Sequence, residues 1–400
     1  MPRESNRLPL AFSCLGHAYM HMFTAFYFVI VLALEDVWQR PYHELIELWT
    51  LGSLLVGLAA LPCGWLGDRI GAANMMIVFF VGLGLSGIAC GLVEGPSALF
   101  LGLTAIGVFS AIYHPVGIAW VVRSAKARGK ALGVNGVFGS IGIASAGLVA
   151  GALIDGFGWR AAFIVPGAVC LVTGLALLVC HLFGLVPDGV AAAREGQEES
   201  RGDMLRAVGV LFLTLLITGA VFQATQAAIP KVFDLRLRDI AGDGTFGIGA
   251  IVAGVYTVGG VTQLVGGYLA DKFPLKPVYL GTFFLQVLTL TFVSALGGLP
   301  LIAMTAMIVL LSVVALPAEN LLLARYTPQR HHSFVYGVKF VLAFGTAPAS
   351  ILLVSRIQER TGEFVWLFWA LAALAAVAAL AALFLPGEWR RARPMPLAAE

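Results

Sequence analysis

Long apolar runs, repeated from one end of the sequence to the other, leave few folds open to this chain. A helix that crosses about 30 Å of hydrocarbon needs roughly 20 mostly apolar residues. Runs of that kind fall at about 9–34, 44–65, 74–93, 97–122, 131–154, 161–185, 205–230, 246–269, 277–297, 300–323, 333–355 and 364–385. Composition agrees: 59% of the 400 residues are hydrophobic and 12% are charged, too little polar surface to cover a water-soluble core. The runs lack the short alternation of barrel strands. Backbone polar groups in lipid must be satisfied internally, so each run reads as a helix. The expected fold is all-α and integral to the membrane, with twelve transmembrane helices.

The first span follows a short polar start, Arg3 to Arg7, exceeds a signal-peptide core and shows no small-residue cleavage site, so it is read as structure. Most of the 25 Lys and Arg residues fall on one side if both termini are cytoplasmic. Arg40, Arg160, Lys231, Arg236, Arg238, Arg356 and Arg360 fall on the other side, and Lys339 lies within a span. This bias predicts cytoplasmic termini. Cys14, Cys63, Cys90, Cys170 and Cys180 all sit in apolar spans without paired spacing, which argues against disulfides or a zinc site.

The most hydrophilic stretch, around 187–206, divides the spans six and six. The chain is therefore read as an N-terminal six-helix bundle over 1–186, a cytoplasmic linker over 187–204 and a C-terminal six-helix bundle over 205–400. The halves repeat in detail. Gly64-Trp65-Leu66-Gly67-Asp68-Arg69 follows span 2, and Gly267-Tyr268-Leu269-Ala270-Asp271-Lys272 follows span 8, 203 residues later. Span 4 contains Pro115 and ends at Arg123; span 10 contains Pro317 and ends at Arg325, 202 residues later in both cases. Two pseudo-symmetric parallel bundles are a transporter design.

At these residues the chain resembles the major facilitator superfamily, whose loop after helix 2 is filled here by Gly64, Asp68, Arg69 and Gly71. Within it, His17, the run Gly107 to Pro115 and the glycine-rich span 5 resemble the fosmidomycin-resistance type of efflux protein. That group carries an acidic residue directly after the His-Pro pair, where this chain has Val116. The resemblance implies loops that bridge the two halves. Asp68, Arg69, Asp271 and Lys272 are therefore expected, with Gly64, to form a cytoplasmic gate, and Arg123 and Arg325 are placed to pair with the aspartates.

Ionisable groups inside hydrocarbon are costly, so those that remain mark a pathway. Here they are His17 and His21 in span 1, His114 in span 4, Glu319 in span 10 and Lys339 in span 11, with Tyr113, Asn135 and Asn320 as polar support. His17 and His21 are four apart and share one helix face. Glu319 and Lys339 lie at matching depth on successive helices, where they would neutralise each other and handle a proton. Histidines titrate near neutral pH and suit the same role. With Met20 and Met22 alongside, His17 and His21 also have the donor types of a borderline-metal route. No carboxylate or cysteine cluster accompanies them, and no metal site is expected. Gly133, Gly136, Gly139, Gly142, Gly147 and Gly151 in span 5 predict close helix packing. Pro115, Pro166, Pro317 and Pro348 predict bends. Phe23, Tyr27, Tyr113, Tyr336 and Phe340 point to a substrate with apolar surface.

No phosphate loop for ATP is present, which leaves gradient coupling. The expectation is a secondary active, proton-coupled transporter in a bacterial-type inner membrane, exporting a small amphipathic or anionic organic compound by alternating access. Its partners are the small-molecule substrate, protons and lipid, without nucleic acid, and it is expected to work as a monomer without a cofactor. An importer of a metabolite or metal complex is the same-fold alternative. A membrane-embedded enzyme using His17, His21 and His114 as metal ligands, or a transport-dead sensor, are the alternatives of other classes; no enzyme activity is expected.

Overall fold

The structure is a computed structural model that describes residues 7–125, 128–186, 201–327 and 332–386; the linker expected at 187–204 lies for the most part outside the described residues. Among the described residues, eleven helices are long and apolar enough to cross a membrane. A bent pair supplies the twelfth crossing. We number them α1 (Leu8–Trp38), α2 (Tyr42–Leu58 with Ala60–Ile70), α3 (Ala72–Leu92), α4 (Pro96–Ser124), α5 (Lys130–Phe157), α6 (Trp159–Leu182), α7 (Met204–Arg236), α8 (Thr245–Lys272), α9 (Leu275–Val293), α10 (Gly298–Arg325), α11 (Gly337–Thr361) and α12 (Val365–Leu383).

Span 2, expected as one continuous helix, is instead broken at Ala59 with a 47° bend. Pro62 accounts for the break: it has no N–H to offer the Leu58 carbonyl, and its ring crowds that carbonyl. Pro115 acts differently. Over Tyr113–Gly117 the backbone of α4 opens into a π-helical turn, the rare geometry that inserts one residue into an α-helix. Pro166 and Pro317 are carried inside continuous helices, and Pro348 follows a turn at Thr346 in the second residue of a new helical segment.

Within the first half α3 packs on α6 and α1 on α5; within the second, α9 packs on α12 and α8 on α10. Across the halves α5 meets α8 and α2 meets α11. Shifting every helix number by six exchanges these two cross-half pairs, as a pseudo-two-fold relation between six-helix bundles requires. The outward faces are apolar: Leu101, Val172, Phe284 and Leu380 are each more than 60% exposed. Such surface is stable against acyl chains and not against water.

Tight crossings are made where side chains are missing. A Cβ on Gly151 would lie 2.7 Å from the Thr245 carbonyl oxygen, and one on Gly139 would lie 2.7 Å from the His17 ring. The glycine-rich face of α5 thus serves α8 at one end and the imidazole of α1 further along.

Candidate functional site

Two polar clusters lie inside the helices, one in each half. The first is built on α1, α4 and α5. The π-helical turn places Tyr113 and His114 side by side in the interior, both buried. Ser13 of α1 donates its hydroxyl proton to the Gly117 carbonyl at 2.7 Å, satisfying a backbone group of that turn. One turn further along α1, His17 donates Nδ1–H to the Asn135 carbonyl of α5 at 2.8 Å. The Asn135 amide nitrogen donates to the Tyr113 hydroxyl at 2.8 Å, and the Tyr113 ring stacks on His17 with centroids 4.8 Å apart.

His21, one turn on from His17, lies with its ring 4.9 Å from the ring of His17, and His114 stands edge-on to both at 5.5 Å. The three imidazoles therefore form one group, so of the eight pathway residues expected together, His17, His21, Tyr113, His114 and Asn135 lie in this cluster and Glu319, Asn320 and Lys339 in a second one. Phe340 and Phe344 of α11 cover His114 from the other half, at 4.9 and 5.0 Å.

The second cluster is built on α10 and α11. Lys339 Nζ lies 2.7 Å from Glu319 Oε1 and donates to Asn320 Oδ1 at 2.5 Å. Glu319 is 1% exposed, so the pair is held away from bulk water. The Tyr279 hydroxyl of α9 lies 3.2 Å from the other Glu319 oxygen and 2.9 Å from Thr214 Oγ1 of α7. Tyr279 and Thr214 were not legible as members of this site, because a tyrosine near a span end reads as an interfacial anchor. The two clusters meet on α11, where Lys339 turns to the carboxylate and the next residue, Phe340, touches His114.

At the membrane end remote from the chain's N-terminus, the halves are joined by polar contacts. Lys231 of α7 binds Glu35 of α1 at 2.5 Å and its own helix's Asp234 at 3.0 Å, and Arg238 pairs with that aspartate. The Tyr42 hydroxyl donates to the Ala227 carbonyl, and Ser355 of α11 donates to Glu47 of α2 at 2.5 Å. Asp155 at the end of α5 accepts the Thr245 and Phe246 backbone N–H groups, both at 2.9 Å, and caps α8. Sequence reading missed this network, since charges at span ends are ordinary and the partners are far apart in the chain.

At the opposite end, where the gate was expected, the following contacts of the described residues each lie within one half. Arg123 lies 3.7 Å from Asp68, whose side chain is 78% exposed, so this contact contributes little. Arg69 covers the Trp65 ring, Lys272 the Tyr268 ring and Arg325 the Tyr326 ring. Asp271 is exposed. Gly64 packs against Pro115, where an added Cβ would lie 3.1 Å from the proline Cβ. Of the aromatic residues expected at the substrate, Phe23 and Tyr27 are buried packing residues of the first half, with Tyr27 donating to the Leu45 carbonyl.

The sequence model of the Major Facilitator Superfamily matches residues 13–256 and 238–398, nearly the whole chain. The chain belongs to the Major Facilitator Superfamily. In this superfamily member the two cross-half helix pairs and the buried charges lie in a fold that solved structures share. A bacterial homolog of the human lysosomal transporter Spinster, in an inward-facing and unoccupied conformation, aligns with a TM-score of 0.70 at 14% identity, covering 96% of this chain and 95% of that one. Among curated proteins, the multidrug resistance protein MdtG of Dickeya zeae is 26% identical over 263 residues, 62% of each chain. The methyl viologen resistance protein SmvA of Salmonella typhimurium is 26% identical over 351 residues, 79% of this chain and 68% of that protein. The chain spans between 37% and 68% of the length of the first curated relatives it matches. A multi-span helical protein with bacterial relatives of this superfamily is a protein of the bacterial-type inner membrane.

Proposed function

We propose that this chain is a secondary active transporter that exports a small amphipathic organic compound in exchange for protons, by rocking of two bundles bounded at 1–186 and 205–400 about the linker 187–204. The observation that carries the reading is the buried Glu319–Lys339 pair, whose lysine lies on a helix that also touches the histidine cluster of the other half. Names of relatives such as MdtG and SmvA, which refer to multidrug and methyl viologen resistance, support efflux.

The chemistry of the pair ties the class of substrate to the direction of transport. A buried ion pair is stable only while both charges are matched. An anionic substrate that captures Lys339 leaves Glu319 unpaired, and a buried unpaired carboxylate takes a proton. Proton and anion then travel together, which under an inward proton gradient is import. A substrate without a negative group cannot relieve Lys339, so it favours the closed, deprotonated pair, whereas a proton on Glu319 opens the pair and disfavours that substrate. Proton and substrate then exchange, which is export. Export therefore goes with the amphipathic substrate, and the importer alternative goes with the anionic one.

A thermal-shift panel of organic solutes on the detergent-purified chain identifies the binding partner, since a solute at about a hundred times its Kd stabilises by about 2.7 kcal/mol. Proteoliposomes loaded with a pH dye then report the sign of coupling for that solute. Opposed proton and solute fluxes, lost on Glu319→Gln, are expected. Parallel fluxes would replace export by import, and unchanged coupling in Glu319→Gln would remove the carboxylate from the mechanism.

A further inference from the structure

Three histidines from two helices converge in the first half, and nothing in the exchange chemistry above needs three. Their nearest ring nitrogens all lie within 4.8 Å of one another. His17 has already committed its Nδ1–H to the Asn135 carbonyl, which leaves Nε2 as the nitrogen with the free lone pair. This is the arrangement of metal-binding imidazoles, whose second nitrogen donates to a carbonyl or carboxylate that fixes ring and tautomer. The Asn135 amide in turn holds Tyr113, which stacks on the His17 ring and fixes its plane from one side. Gly139 packs closely on the ring from α5: a Cβ there would lie 2.7 Å from His17 Nε2, so only glycine leaves the imidazole this position.

We propose that His17, His21 and His114 bind one borderline divalent transition-metal ion, of the Zn²⁺, Co²⁺ or Ni²⁺ class, with the fourth position filled by an anionic ligand. Imidazole donors select that class over Mg²⁺ or Ca²⁺, which take oxygen. Three nitrogens at 2.0–2.1 Å from a tetrahedral ion stand closer together than they do here, by ring shifts of less than about 1 Å each. Small rotations of His21 and His114 supply that movement, since among the described residues it is the His17 ring of the three that bonds to backbone. The anionic fourth ligand follows from charge. Three neutral imidazoles leave the ion's two positive charges uncompensated beside the partly buried Phe340 and Phe344 rings, and an isolated charge in such apolar surroundings is costly. The site is thus suited to a metal held together with a carboxylate or similar group of a small organic chelator.

The test is titration of the full, tag-free chain in detergent with Co²⁺, whose visible spectrum reports low-coordinate nitrogen ligation. One Co²⁺ per chain, displaced by Zn²⁺, is expected. His21→Gln and His114→Gln should each weaken binding by at least about tenfold. His43→Gln and His181→Gln, which alter histidines outside the cluster, should leave it unchanged. His21→Gln keeps the His17–Asn135 bond, so its elution in size-exclusion chromatography should match the parent and separate lost binding from lost folding. The absence of a stoichiometric Co²⁺ band in the parent protein would overturn the proposal, as would binding that survives both cluster substitutions. No transport is needed for this measurement, so a negative titration leaves proton exchange standing, and a protein that fails to exchange protons leaves the metal site standing.

Discussion

At the residue scale the ion pair has a measurable signature. Removing one partner of a buried pair leaves an uncompensated charge and costs about 3–5 kcal/mol, whereas removing both is close to neutral. Glu319→Gln and Lys339→Gln should each lower the melting temperature in detergent, and the double variant should recover most of the loss. A double variant as unstable as the sum of the singles would show that the two residues do not interact. Asn135→Ala is expected to be milder. It keeps the carbonyl that receives the His17 proton and removes only the amide bound to Tyr113, which at about 1–3 kcal/mol is the cost of an unsatisfied buried hydroxyl. Thermal melts with and without Co²⁺ separate that loss of stability from any loss of metal.

The histidines and the ion pair were legible as sequence because ionisable residues are so rare in the spans that each stands out. His17 and His21 share a face by helical spacing alone, and Glu319 and Lys339 match in depth on adjacent helices. That the two pair depends on the rotation of α10 and α11 about their axes, and that Tyr279 and Thr214 extend the contact depends on the rotation of α9 and α7. Helices whose apolar residues run all the way round give no sequence clue to that rotation.

At the element scale, prolines locate the irregular backbone but their effect differs with context. Pro62 breaks α2, Pro115 opens a π-helical turn in α4, and Pro166 and Pro317 leave their helices continuous. The sequence reading marked Pro115, Pro166, Pro317 and Pro348 as bends and passed over Pro62, the one beside the 47° break. At the turn beside Pro115 a neighbouring helix supplies a donor, since Ser13 bonds the Gly117 carbonyl. Close helix contact is a second element-scale property. Gly249 of α8 lies so near the Gly147 backbone of α5 that a Cβ on it would overlap the Gly147 carbonyl. Gly249→Leu should therefore wedge this cross-half pair apart, abolishing solute flux while membrane insertion and expression persist. Flux at the parent rate would show that α5 and α8 need not touch during the cycle.

At the scale of the whole molecule, polar contacts join the halves at the end remote from the N-terminus, and at the other end the described Asp68–Arg123 pair lies within one half. If the halves rock as proposed, closing the second end breaks the contacts at the first, and Glu35–Lys231 with the Asp155 cap acts as the latch of this state. Lys231→Ala should shift the population toward the alternative, with the change visible as increased labelling of far-end cysteines. This latch could not be read from sequence, because residues 35 and 231 are far apart in the chain and lie where flanking charges are commonplace.

Rocking itself is tested most directly by two spin-label distances measured in lipid nanodiscs, on a background with the native cysteines replaced. One pair, at Asp68→Cys and Asp271→Cys, spans the exposed loops of the terminal end; the other, at Gln39→Cys and Ile240→Cys, spans the remote end. Across pH, and with Lys231→Ala, one distance should shorten as the other lengthens. Two distances that stay fixed, or that change together, would contradict alternating access between these halves.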